Sequence, residues 1–157
     1  MTASRLLTLS MTAASAVAQC SWSSVSVSSY GQGCSPFGLG AALNVSASLH
    51  VSQCRLDLDV TPTSGCCGTA AVGTVLALGF APVSVPAPVL GAGCTLLASP
   101  GLLIYRSATA GSTFPLLFLA PQLPPVTFHV QAASLFFSSS GPSYAWVASA
   151  GARVDLH

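Results

Sequence analysis

Six cysteines, three histidines and three aspartates stand out for their chemistry in this 157-residue chain. Two of the carboxylates alternate along one segment, Arg55-Leu56-Asp57-Leu58-Asp59. In a strand they share a face about 7 Å apart, a spacing open to a divalent cation or to the paired acids of a glycosidase. Two acids alone supply too few oxygen ligands, and Arg55 on the same face balances them, so a solvated strand edge is expected there. His50, His129 and His157 could each join one of the many serines, but no Gly-x-Ser-x-Gly turn occurs to present a nucleophile. His157, the last residue, is expected to fray. No catalytic set is assigned, and the chain is read as a nonenzyme, with an unrecognised hydrolase as the third choice.

Cys20, Cys34, Cys54, Cys66, Cys67 and Cys94 contain no Cys-x-x-Cys pair and lie near no His-x-x-x-His, so neither a metal nor a cofactor is expected. In an exported chain their even count argues for up to three disulfides, with fifteen connectivities open. Adjacent Cys66 and Cys67 point to opposite faces of an extended backbone and should reach different partners. Among the aromatics Trp22, Tyr30, Tyr144 and Trp146, the last two fall on one strand face and form a candidate platform for sugars. Core or rim packing is the competing reading of these rings.

Export follows from the opening residues. Arg5 precedes an uncharged run from Leu6 to Ala18 that ends in the small triplet Ala16-Val17-Ala18. That is the layout of a signal peptide, read as a helix over 1–18 with cleavage after Ala18. The run is shorter than the roughly 20 apolar residues that span a bilayer. Gln19, which is not small, argues against a lipid anchor on Cys20. The expected destination is the medium, the periplasm or the cell surface.

Beyond the cleavage point stand Arg55, Arg106 and Arg153 against Asp57, Asp59 and Asp155, with no lysine or glutamate, so the side-chain charge is zero. No basic footprint for nucleic acid exists. Near-zero charge removes the repulsion that keeps proteins apart, which suits self-association or contact with a cell envelope or its glycans. A chain with 52% hydrophobic residues is not a disordered one.

The elements that must position these residues are strands, because eleven prolines and fourteen glycines break every helical period. From Ala42 to Val51, Leu43, Val45, Ala47 and Leu49 alternate with Asn44, Ser46, Ser48 and His50, and Arg55 to Thr61 repeats the pattern with Leu56, Leu58 and Val60 inward. These two read as a hairpin or neighbouring strands. Val72 to Phe80 is apolar on both faces, as a central strand would be. Further strands are expected at 94–99, 102–107, 113–119, 126–137 and 144–156, the last two separated by a turn at Ser138 to Ser143. Proline and glycine cut the apolar middle into pieces too short for a membrane helix. The sum is an all-β, antiparallel sandwich or jelly-roll-like domain of seven or eight strands over 42–157, preceded by a Ser/Gly-rich lead-in over 19–41.

Several landmarks resemble a family of uncharacterised secreted domains abundant in planctomycete bacteria. They are Tyr30-Gly31-Gln32-Gly33-Cys34, Leu78-Gly79-Phe80, Leu90-Gly91-Ala92-Gly93-Cys94, a run toward Pro121, Phe128-His129-Val130-Gln131-Ala132, and Arg153-Val154-Asp155-Leu156. Cys54, Cys66 and Cys67 depart from the family's pattern, and the chain's middle is short of its proline-rich turn. The resemblance implies an exported β-sandwich and a Cys34 to Cys94 bridge, and it implies no activity. The leading expectation is an exported, noncatalytic structural or interaction domain stabilised by disulfides, with a carbohydrate-binding module as the alternative.

Overall fold

The computed structural model describes residues 20–35, 42–63, 69–91, 93–107, 111–117, 123–138 and 143–157. The signal segment, Cys66, Cys67, Ala92 and Pro121 lie outside them. Eleven strands run through the described residues: β1 (Val25–Tyr30), β2 (Ala42–His50), β3 (Arg55–Thr63), β4 (Thr69–Gly79), β5 (Pro82–Pro86), β6 (Thr95–Ala98), β7 (Leu102–Arg106), β8 (Ser112–Leu117), β9 (Val126–Ser138), β10 (Ser143–Ala148) and β11 (Gly151–Leu156). All pairings are antiparallel. The large sheet has the order β1-β11-β9-β4-β7, with β10 also on β9, the second sheet is β2-β3-β8, and β5-β6 forms a hairpin of its own. The result is an open, all-β sandwich.

The strand total exceeds the expected seven or eight for three local reasons. β1 lies in the Ser/Gly-rich lead-in, where serines dilute the apolar signal, yet it pairs along its whole length with β11. β5 begins and ends in proline and pairs only with β6, as befits an edge strand. The expected strand 144–156 breaks at Ser149 and Ala150, so β10 and β11 follow one another along the same side of β9. At the break, the Ser149 hydroxyl accepts the Ala132 N–H at 2.9 Å and donates to the Ala150 carbonyl at 2.6 Å.

Alternation explains which face each strand buries. Leu56, Leu58 and Val60 of β3 and Phe114 of β8 meet Leu76 and Leu78 of β4, Phe128, Val130, Ala132 and Phe136 of β9, Val147 of β10, and Val154 and Leu156 of β11. Each fully buried large side chain here stabilises the fold by about 1.5–3 kcal/mol. Trp22 joins this core, with its indole N–H donating to the Pro124 carbonyl at 3.0 Å. The C-terminal His157 is not frayed. Its carbonyl accepts the N–H groups of Ser23 and Ser24, and its own N–H donates to the Ser24 carbonyl at 3.1 Å.

Two disulfides fasten the sandwich. Cys20–Cys54 joins the segment before β1 to the turn between β2 and β3, and Cys34–Cys94 joins the segment after β1 to the start of β6. Cys54 sits at φ 48°, the one described non-glycine residue with positive φ, a conformation that costs on the order of 1 kcal/mol and that its bridge helps to hold. Structural disulfides of this kind belong to an oxidising, extracytoplasmic environment. Among the described residues no helix is long and apolar enough to cross a membrane.

Candidate functional site

The outer face of the large sheet divides into two halves. On one half the side chains of His129 and Gln131 (β9), Tyr30 (β1) and the backbone of Gly79 (β4) meet the β5–β6 hairpin. Gln131 stitches the layers together. Its Oε1 accepts the Leu97 N–H at 2.8 Å, and its Nε2 donates to the carbonyls of Thr95 and Ser149 at 3.0 and 3.1 Å. The Tyr30 hydroxyl donates to the Leu97 carbonyl at 2.7 Å, its ring meets the His129 ring edge-on at 5.4 Å, and burial raises its pKa above the usual tyrosine value. At Gly79 the Ser99 carbonyl comes so close that an added Cβ would lie 1.8 Å from its oxygen.

The other half is covered less: the turn Pro88–Leu90 approaches β10, and Trp146, Leu135 and Phe137 are half-buried. Tyr144 and Trp146 of β10 point outward, opposite the core-facing Ala145 and Val147. Register places Trp146 across from Leu135, and Leu135 across from Gly73, while Tyr144 lies across from Phe137 with ring centroids 5.3 Å apart. Gly73 carries no side chain, and the Tyr105 ring of β7 rests where its Cβ would be, 2.6 Å from the tyrosine oxygen. The result is a continuous row of rings and aliphatic groups across β10, β9, β4 and β7. Tyr144 is 62% exposed, Tyr105 64% and Leu103 62%. Such a face offers planar apolar area with hydroxyl groups at its margin, which suits sugar rings or another protein surface.

The structure separates the four aromatics that sequence spacing grouped. Trp22 is core and Tyr30 lies under the hairpin, whereas Tyr144 and Trp146 share the open face and gain Tyr105 and Phe137 as neighbours. The latter two were missed. Tyr105 sits in the run Leu102-Leu103-Ile104-Tyr105, whose apolar character on both faces conceals which side is exposed.

The acidic pair lies on the outer face of the second sheet. β3 is the central strand there, so Asp57 and Asp59 do not occupy the expected sheet edge. Arg55 grips Asp57 with Nε 3.0 Å from Oδ1 and Nη2 3.1 Å from Oδ2, and His50 Nε2 lies 2.9 Å from Oδ2. Asp59 accepts the Thr113 hydroxyl at 2.6 Å. These carboxylates are thus engaged with protein groups, and the described residues include no cluster of three or more His, Cys, Asp or Glu placed to hold a metal. Arg153 and Thr127 similarly hold Asp155, and the Thr127 hydroxyl bond, ahead of the guanidinium, lowers its pKa.

Compared with family models, with curated proteins and with solved structures, the chain finds no match.

Proposed function

We propose that this chain is an exported, noncatalytic interaction domain that makes its contacts through the open aromatic half of the large sheet. The observation that carries the reading is the row Tyr144, Trp146, Phe137 and Tyr105, running from β10 across β9 and β4 to β7, with Tyr144 and Tyr105 largely exposed and Trp146 and Phe137 half-buried. Large exposed apolar patches on a protein of this size mark contact sites. Export rests on the composition of the first eighteen residues, and the two disulfides support it. A structural role in an envelope or assembly fits the same face, since neutral side-chain charge leaves no long-range repulsion between copies.

Glycan binding is the second reading, favoured by the pairing of Tyr and Trp rings with hydroxyls at their margin. A glycan array of the protein beside its Trp146→Ala variant separates the two. Sugar-specific signal lost on substitution establishes the carbohydrate module. Absence of sugar binding, with Trp146-dependent self-association in sedimentation, establishes the assembly role. Turnover of any substrate that is abolished by Asp57→Asn would overturn both.

A further inference from the structure

We propose that the gap between the two sheets on the β7–β8 side is a binding site for the hydrocarbon chain of a neutral lipid. The sheets approach one another where β1 lies beside β2. On the opposite side the edges β7 and β8 leave a cleft of about 570 Å³, walled by Trp22, Leu78, Leu102, Leu116 and Phe128. That volume falls in the range of small-molecule sites.

Leu102 carries the argument. It pairs with Leu78 and points to the core side of its sheet, where a sandwich normally interdigitates side chains from both layers. Yet it is 53% exposed, because no described side chain fills the space before it. At the lip Phe80 is 84% exposed. A cleft of this size whose walls are aliphatic and aromatic offers its occupant dispersion contacts along its whole length, which suits a hydrocarbon chain.

Polarity selects the ligand's chemistry. The lining contains no charged residue, and the Trp22 indole N–H already donates to the Pro124 carbonyl. On β7 the arginine, Arg106, lies over the Phe114 ring at 5.9 Å, four residues along from Leu102. A carboxylate or phosphate would find no partner among these walls, so the occupant is neutral where it enters the cleft.

The test uses the full mature chain carrying Trp146→Phe, which leaves Trp22 as the sole indole of the two in the sequence. N-phenyl-1-naphthylamine, a neutral apolar fluorophore, is titrated in, and energy transfer from Trp22 is read. The expected result is saturable transfer that a monoacylglycerol displaces. Leu102→Gln should weaken dye binding about tenfold, and Leu103→Gln, one residue on but facing outward, should change it by less than about twofold. Both leucines are exposed, so neither change endangers the fold. Non-saturable transfer, or equal loss from Leu103→Gln, overturns the cleft. The second outcome would move the dye to the aromatic face, so failure here and failure of the interaction reading remain distinguishable.

Discussion

The two halves of the large sheet's outer face share strands β9 and β4 yet are finished in opposite ways. On the half under the β5–β6 hairpin, outward positions carry Gln131, His129 and Tyr30, whose polar atoms engage the hairpin's backbone or pack beneath it. On the other half the same outward register carries Phe137, Leu135, Trp146 and Tyr144, half-buried apart from the exposed Tyr144, with only the Pro88–Leu90 turn approaching β10. The contrast teaches that covering a sheet face takes hydrogen-bonding side chains able to satisfy the incoming backbone. An apolar finish is left where contact is made with something outside the fold.

Breaking the fastening of the covered half should produce the largest effect. Replacing Cys34 and Cys94 by serine and alanine opens a bridge between residues 60 apart in sequence and should cost about 4 kcal/mol. Denaturant midpoints measure this, and an unchanged midpoint would show that the hairpin is held without it.

A pair of glycines sharpens the comparison further. Gly79→Ala drives a methyl into the Ser99 backbone, which cannot step aside cheaply, and should cost about 3 kcal/mol. Gly73→Ala meets only the exposed Tyr105 side chain, so its cost should stay near 0.5 kcal/mol. It should nevertheless weaken whatever binds the open face, because the ring must move. Thermal melts of both variants check the ordering.

Tyr30→Phe, which removes the bond to the Leu97 carbonyl, should cost about 1 kcal/mol, between the two glycine variants. Burial raises the Tyr30 pKa, so the folded state favours the protonated phenol. That contribution is complete below the usual tyrosine value and is lost as pH rises through the raised one. Above about pH 10, the usual tyrosine value, the parent should therefore lose stability that the phenylalanine variant does not. Parallel alkaline profiles would assign the loss elsewhere.

How much of this was legible depended on whether the signal was local. The alternation at Leu43 to Leu49 and Leu56 to Val60 identifies β2 and β3 and their inward faces, and leaves open a hairpin or mere neighbours; they form a hairpin. Val72 to Phe80, apolar on both sides, was rightly internal, although the register shift at Val72 was not foreseen. The Cys34–Cys94 pairing followed from resemblance and is present. Cys20–Cys54 was one of many open pairings, because spacing says nothing of which turn the segment before β1 will touch. Asp57 and Asp59 were assigned to an edge since their second neighbour, β8, lies more than fifty residues further on. The candidate face was half legible for the same reason. Tyr144 and Trp146 share a strand, but Phe137 and Tyr105 come to them only through pairing across the sheet.

β7 has a further consequence as the last strand of the large sheet, held through β4 alone. Leu103 and Tyr105 leave it toward the aromatic face, while Leu102 and Ile104 leave it toward the interior. A five-residue strand thus serves as a party wall between two compartments. If its position shifts when either compartment is occupied, the other registers the change, and thermodynamic reciprocity makes the two influences equal in free energy.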